Sequence, residues 1–169
     1  KNKLSYFNRI IKLLIQIQSI KHRKVKNFRD QNYIIPKYDK KILINEANLF
    51  CDWYAKNNLS KLRKKRFCNK FKNIIKELTL KLKLKDNIFV HRDFHVSNLM
   101  SVKNQIGLID SQDALIGNKA YDLASLIDDV RLKTSYSFKE KIFKFYIKKQ
   151  KNLDIKKFKN DFEILSVLR

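Results

Sequence analysis

Glycine is almost missing from this chain. Its 169 residues hold two, Gly107 and Gly117, together with a single proline, Pro36. A phosphate-cradling loop of the GxGxxG or P-loop kind needs several glycines within a few residues, and neither glycine belongs to one. Cysteine is as scarce. Cys51 and Cys68 are too few for a disulfide framework and lack the spacing of metal ligands. Both fall in helix-like stretches and read as buried or half-buried thiols. No apolar run approaches the length of a membrane span, and no signal-peptide pattern opens the chain. The expectation is a cytoplasmic, reducing setting without a membrane partner.

Acidic residues are also in short supply, 16 against 39 Lys and Arg, for a formal charge of +23. The lysines are spread along the whole length and mixed with Ile, Asn, Phe and Tyr. A nucleic-acid binder concentrates its charge in a stripe or a tail. The densest runs here, Lys21 to Lys24 and Lys61 to Arg66, are short. The basic surface reads as solvated and nucleic acid is not the expected partner, although the field favours an anionic ligand. The length suits one domain with a real core.

What is present is mostly helical periodicity. Leu4, Phe7, Ile10, Ile11, Leu14 and Ile17 recur at three- and four-residue steps. A basic segment from Lys21 to Gln31 breaks the period and reads as a loop, and Tyr33 to Pro36 reads as extended. Asp39 can cap the next helix, which carries Ile42, Leu43, Glu46, Leu49, Phe50, Trp53 and Tyr54. A further basic helix spans Leu59 to Leu84, with Leu62, Phe67, Phe71, Ile74, Ile75 and Leu78 as its apolar face. Two amphipathic helices, Phe138 to Ile147 and Ile155 to Leu168, end the chain.

The stretch from Phe89 to Asp113, FVHRDFHVSNLMSVKNQIGLIDSQD, breaks this helical monotony. Ile88 to Val90 reads as a buried strand feeding a polar loop, His91 to Asn98. Leu99-Met100, a turn at Lys103-Asn104 and a second strand, Gln105 to Ile109, then deliver Asp110. The loop fits the kinase pattern H-R-D-L-x-x-x-N with Phe94 in place of Leu. The chemistry explains the spacing. A hydroxyl that attacks a phosphorus must be oriented and must lose its proton, and one carboxylate, Asp93, can do both. Magnesium on the phosphates wants hard oxygen ligands, a carboxylate and an amide carbonyl. Asp110 and Asn98 supply them, folded side by side by the hairpin. The bland alternative is a hairpin with solvated loop carboxylates.

Several details point away from protein kinases. His95 stands where they carry Lys, Asp110 is followed by Ser111 and Gln112, and Ser111 to Gly117 is too short for an activation loop. Arg92 therefore has no phosphorylated loop to bind, and a structural ion pair is its expected role. With AYDLASLIDD at residues 120–129, HRDFHVSNLM and IDSQDALIG resemble the aminoglycoside phosphotransferase and choline kinase superfamily. Within it they look most like the bacterial cell-wall amino-sugar kinases, which phosphorylate N-acetylmuramate or N-acetylglucosamine at the anomeric hydroxyl. The resemblance runs from about Ile34 to the end and is densest between His91 and Asp129.

That resemblance implies an α+β, mostly helical fold: a protein-kinase-like C-lobe with a small β-hairpin catalytic element. It implies an ATP- and Mg²⁺-dependent kinase of a small-molecule hydroxyl, with Asp93 as base and Asn98 and Asp110 on the metal. Asp122 would hold the backbone of the catalytic loop, and His91 would be a buried residue that fixes it. The acceptor side is less determined. Glu46 accepts a sugar hydroxyl or lies on a solvated face, and so does Asp52. Trp53 stacks on a sugar or joins the core. His95 touches a phosphate or the acceptor, or packs; Asp113 reaches the sugar or a second metal, or caps a turn.

No run of strands precedes the first helix, and no lysine can be named as partner of the α- and β-phosphates. The family's β-rich N-lobe supplies both. The expectation is thus a single domain over 1–169 that lacks the N-lobe, with residues 1–33 a helix and basic loop after the hinge. Residues 34–169 would be the catalytic C-lobe, truncated at its end, and such a piece alone would hold ATP poorly and be inactive. Two rivals stand beside this reading. One keeps the fold and takes an aminoglycoside, choline or homoserine as acceptor. The other is a non-catalytic basic module of kinase-like shape whose binding to nucleic acid is salt-sensitive.

Overall fold

Apolar residues at helical spacing give the first element one dry face. In the computed structural model, which describes residues 3–103 and 105–169 (the side chain of Asp86 excepted), helix α1 spans Lys3–Gln18. It buries Phe7, Ile10, Ile11 and Leu14 against α6 (Tyr136–Lys149) and the strands of the catalytic element. Each such side chain taken out of water contributes about 1.5–3 kcal/mol. Gln18, at the buried end of α1, keeps its amide satisfied. Its Nε2 donates to the Lys119 carbonyl at 3.0 Å, and its Oε1 accepts from the buried Tyr146 hydroxyl at 2.6 Å.

The basic segment Lys21 to Gln31, expected as a loop, carries a strand, β1 (Lys24–Lys26), which pairs in an antiparallel ribbon with β2 (Asn32–Ile34), where Tyr33 and Ile34 are extended as expected. All six residues are exposed, so no apolar alternation announces the strands. Their turn is held by the Asn27 side chain, whose Oδ1 accepts from the Arg29 and Gln31 amides, as asparagine does in turns.

Asp39 caps α2 (Lys40–Phe50), accepting from the Ile42 amide at 2.9 Å. The helix then widens into a π-helical stretch, Cys51–Ala55, before one more turn, α3 (Lys56–Asn58). The wider winding keeps Cys51 and Ala55 inside and leaves Trp53 and Tyr54 on the surface. At 71% exposure, Trp53 is no part of the core.

The long basic helix α4 (Lys61–Leu80) starts two residues later and ends earlier than the pattern suggests. It packs on α2, on the π stretch and on α7 (Ile155–Leu168). Its buried line is Cys68, Ile75 and Thr79, with Phe71 and Leu78 half-buried. Leu62, Phe67 and Ile74 are exposed, so the buried face is narrower than the run of apolar residues.

Among the described residues the strands form three two-stranded antiparallel sheets. The first is the ribbon described above. In the second, β3 (Asp86–Val90) pairs with β6 (Leu115–Asn118), a strand not expected from the sequence. In the third, β4 (Leu99–Val102) and β5 (Gln105–Leu108) form the expected hairpin, with Leu99 opposite Leu108. Of its turn, Lys103 has φ 44° and Asn104 lies outside the described residues.

Helix α5 (Tyr121–Ile127) is buried along its whole length and packs on α6 and α7. From α7 the buried Asp161 accepts from the Lys83 and Leu84 amides and from Asn118 Nδ2, tying the turn before β3 to β6. The result is the α+β, mostly helical architecture expected, with the catalytic hairpin seated on a helical base. Among the described residues no helix is long and apolar enough to cross a membrane.

Candidate active site

Strand β3 ends on the fully buried Val90 and hands the chain to the loop His91 to Asn98. Phe94 anchors the middle of that loop in the core at 0% exposure. Around it the backbone is fixed by short-range bonds. His95 N donates to the Asp93 carbonyl at 2.9 Å, and Asn98 N donates to the His95 carbonyl at 3.0 Å. Residues Val96–Asn98 form a turn of 3₁₀ helix that leads into β4.

Helix α5 braces the loop from outside. The Asp122 carboxylate accepts from His91 N at 2.8 Å and from Arg92 N at 3.1 Å, and Ser125 Oγ lies 3.4 Å from the Arg92 carbonyl. Arg92 adopts φ 72°, a left-handed conformation costly for a residue with a side chain. Beyond the helix's other end, Asp129 accepts from Val96 N at 3.1 Å. It also accepts from the Arg131 amide and guanidinium. Burial pushes the Asp122 carboxyl up to about 7, against its two amide donors. Burial also opposes charge on Asp129, but there the hydrogen bonds from Arg131 and Val96 win and hold the carboxyl below its usual range.

Within this frame the expected functional residues take these places. Asp93 is half exposed, and its carboxylate has no hydrogen bond from a side chain among the described residues. His95 lies beside it, with Nε2 3.9 Å from Asp93 Oδ1, too far for a hydrogen bond. Asn98 is buried, and its Nδ2 donates to the Asp93 carbonyl at 3.0 Å, which leaves Oδ1 as its remaining polar atom. Ile109 N donates to the Asn98 carbonyl at 3.1 Å, so Asp110 emerges from β5 beside Asn98 at the mouth of the hairpin. Asp110 is exposed with φ 68°, and Gln112 Nε2 donates to its Oδ1.

An amide oxygen and a carboxylate are the hard donor types that Mg²⁺ prefers, and the Ile109–Asn98 backbone bond sets Asn98 and Asp110 on neighbouring stretches of chain. Magnesium is commonly held by one or two protein oxygens, with water and phosphate completing its shell. Among the described residues no three or more His, Cys, Asp or Glu side chains gather to hold a metal by themselves. The donor set at Asn98 and Asp110 fits a metal that arrives with a nucleotide.

His91 is fully buried and neither ring nitrogen makes a hydrogen bond of ordinary geometry. Burial lowers its pKa, while the nearby Ile109 carbonyl and the Asp93 and Asp110 carboxylates pull the other way. The imidazole is therefore held neutral at the root of the loop. His95 is buried as well, beside Asp93. Asp113 is exposed and within electrostatic reach of Arg92.

Glu46 is half-buried on α2. It forms an ion pair with the Arg92 guanidinium and accepts from the Tyr38 hydroxyl. Sequence reasoning gave Arg92 an ion pair but no partner, and it missed Tyr38, Ser125 and Asp129. The only local signal for Asp129 is the pair of acids closing AYDLASLIDD.

Residues 4–153 match the profile of the phosphotransferase enzyme family. The chain belongs to that family. This phosphotransferase-family chain is 32% identical over 105 residues to the N-acetylmuramate/N-acetylglucosamine kinase of Neisseria meningitidis, an alignment covering 62% of the chain and 31% of that relative. To the protein of the same name from Pseudomonas aeruginosa it is 34% identical over 96 residues, 57% of the chain and 28% of the relative. The corresponding figures for Pseudomonas putida are 30% over 95 residues, 56% and 28%. The phosphotransferase-family chain thus spans under a third of the length of the curated relatives it matches.

Proposed function

We propose that the chain is the catalytic-loop lobe of an ATP- and Mg²⁺-dependent kinase that phosphorylates a cell-wall amino sugar at its anomeric hydroxyl. The observation that carries the proposal is the placement of Asn98 and Asp110 at one hairpin mouth, with the half-exposed Asp93 carboxylate on the same braced loop. The amino-sugar acceptor is supported by the names of the relatives that align with this lobe.

In this reading Asp93 orients the acceptor hydroxyl and takes its proton on a carboxylate oxygen as the hydroxyl oxygen bonds to the γ-phosphorus of ATP and the bond from that phosphorus to the bridging oxygen breaks, ADP leaving. Asn98 Oδ1 and the Asp110 carboxylate hold Mg²⁺. The bound metal neutralises charge on the phosphates. Asp122 and His91 keep the loop in register, and His95 and Asp113 flank the acceptor. The phosphate-cradling loop and its lysine belong to a partner lobe, so nucleotide binding by residues 1–169 alone is weak.

The test uses the full-length protein with Mg²⁺-ATP. It is offered N-acetylmuramate, N-acetylglucosamine, choline, homoserine and an aminoglycoside in turn, and ADP release is followed. Release with the N-acetylated sugars alone is the expected result. Release with another acceptor keeps Asp93, Asn98 and Asp110 in their roles and overturns the substrate. No release with any of them overturns the proposal.

A further inference from the structure

Arg92 stands between His91 and Asp93, but its side chain leaves the loop. Its Nη2 donates to Glu46 Oε1 on α2, and its guanidinium lies 5.6 Å from the centroid of the Tyr38 ring. Tyr38 donates its hydroxyl proton to Glu46 Oε2. The Tyr38 and Tyr121 hydroxyls are 3.2 Å apart, and the two rings meet edge to face at 4.9 Å. Tyr121 precedes Asp122, whose carboxylate accepts from Arg92 N at 3.1 Å. These contacts close a ring that begins at the Arg92 guanidinium and returns to the Arg92 amide. Both tyrosines are buried, at 4% and 5% exposure.

We infer that Arg92 is a positioning residue for phosphoryl transfer and that Glu46 acts on the reaction through Arg92, without touching the acceptor. The inference rests on the reading of Asp93 as the base. Asp93 follows Arg92 directly, and among the described residues no side chain holds its carboxylate by a hydrogen bond. Its aim is therefore set by the backbone before it, which is the left-handed turn at Arg92. Asp122 fixes the amide of that turn, and the Glu46 pair fixes its side chain.

A purely structural role fits the numbers less well. The side chains of Arg92 and Glu46 are 28% and 29% exposed, and ion pairs that reach solvent add little to the stability of a fold. Aim is more sensitive than stability. A misplacement of about 1 Å in a reacting group can cost about 100-fold in rate. The guanidinium also presents a flat fork that a lysine cannot copy.

The experiment makes Glu46→Gln, Arg92→Gln and the double variant in the full-length protein. It measures kcat and KM for both substrates, with amide hydrogen exchange across His91 to Asn98. Glu46→Gln keeps the side chain's shape, so the fold should survive it. Each single variant is expected to lower kcat about 10- to 100-fold, with KM for ATP within about twofold. The double variant should be no worse than the worse single, because the two residues act as one unit. Arg92→Lys should restore part of kcat, and loop exchange should quicken in every Gln variant. Additive losses, an unchanged kcat, or a change confined to the acceptor KM would overturn the inference, the last by placing Glu46 on the acceptor. If the wild type transfers no phosphate to any acceptor, the proposed function fails by itself. Loop exchange then still decides: faster exchange in the variants sustains the brace, and unchanged exchange overturns it.

Discussion

Asp122 and Asp129 grip the catalytic loop from opposite ends of one short helix. Asp122 takes the amides of His91 and Arg92, and Asp129 takes the amide of Val96. Asp93 lies between the two grips. This makes α5, buried along its whole length against α6 and α7, a ruler for the loop. The two grips should be separable. Asp129→Ala leaves the Val96 and Arg131 amides without their acceptor, at a cost of about 1–3 kcal/mol. Hydrogen exchange should quicken at Val96 and stay slow at His91. Asp122→Ala should show the reverse pattern. Uniform loosening of the loop in either variant would mean that it moves as one piece and that α5 has no separate grips.

Removing Asp93 or Asp110 should damage chemistry and spare the fold. Both carboxylates reach solvent, and neither supports the core. Loss of a general base typically costs about 10²- to 10⁴-fold in rate, so Asp93→Ala should fall by that factor in the full-length enzyme. Asp110→Ala should also abolish transfer, and Asp110→Asn should raise the Mg²⁺ concentration needed for half-maximal rate. The free energy of unfolding should move by about 0.5 kcal/mol or less for Asp93→Ala, as for surface changes generally, and by somewhat more for Asp110→Ala, because alanine tolerates the left-handed φ of 68° less well than aspartate does. An Asp110→Ala enzyme with wild-type kcat and Mg²⁺ dependence would remove Asp110 from the metal.

The parts legible in the sequence are those set by neighbours along the chain. The dry face of α1, the Asp39 cap and the β4–β5 hairpin each depend on residues within a few positions. So does the backbone bond that places Ile109 opposite Asn98 at the hairpin's open end. The unread parts are of two kinds. β1 buries nothing, and β6 is a short run buried on all four residues, so neither shows a strand's alternation. Other features depend on distant partners or on winding. No local pattern says that Glu46 will meet Arg92, or that a π-helical stretch will turn Trp53 to water. Glu46 is legible only as an acid in its segment, because its partner Arg92 lies 46 positions away in the chain.

Gly117 sits where β6 presses against Tyr38, and its smallness is needed there. A Cβ at this position would lie 3.0 Å from Tyr38 Cβ and 3.3 Å from Val90 Cγ2. Neither neighbour can retreat easily. Val90 is fully buried, and Tyr38 is held by its amide's bond to the Ile116 carbonyl at 2.8 Å. Gly117→Ala should therefore cost about 1–3 kcal/mol from overpacking, read as a lower urea midpoint. Because Tyr38 supports Glu46, the same change should quicken exchange at the Arg92 amide. Gly107→Ala is the control. Its added carbon would meet only the Met100 carbonyl at 3.8 Å, so its midpoint should stay close to wild type. Equal effects of the two substitutions would show that β-propensity, not crowding at Tyr38, sets the cost.

The buried His91 gives the fold a pH dependence whose sign can be worked out. Burial holds its pKa below the ordinary 6.5. As pH falls through 6.5, the unfolded chain takes up a proton that the folded chain refuses. The stability tied to His91 is thus complete above 6.5 and is lost progressively below it. Asp122 works in the opposite direction. Burial lifts its carboxyl from the ordinary 3.8 up to about 7. Within that window the folded chain keeps a proton that the unfolded chain has released, so acidification from 7 toward 3.8 adds stability. A wild-type curve alone mixes the two. Difference curves separate them: urea midpoints of wild type, His91→Leu and Asp122→Asn at pH 5, 6, 7 and 8. Relative to wild type, His91→Leu should gain as pH falls below 6.5, and Asp122→Asn should lose. A His91→Leu curve parallel to wild type would mean that the imidazole titrates alike in the folded and unfolded chains, and the neutral buried histidine at the root of the loop would have to be given up.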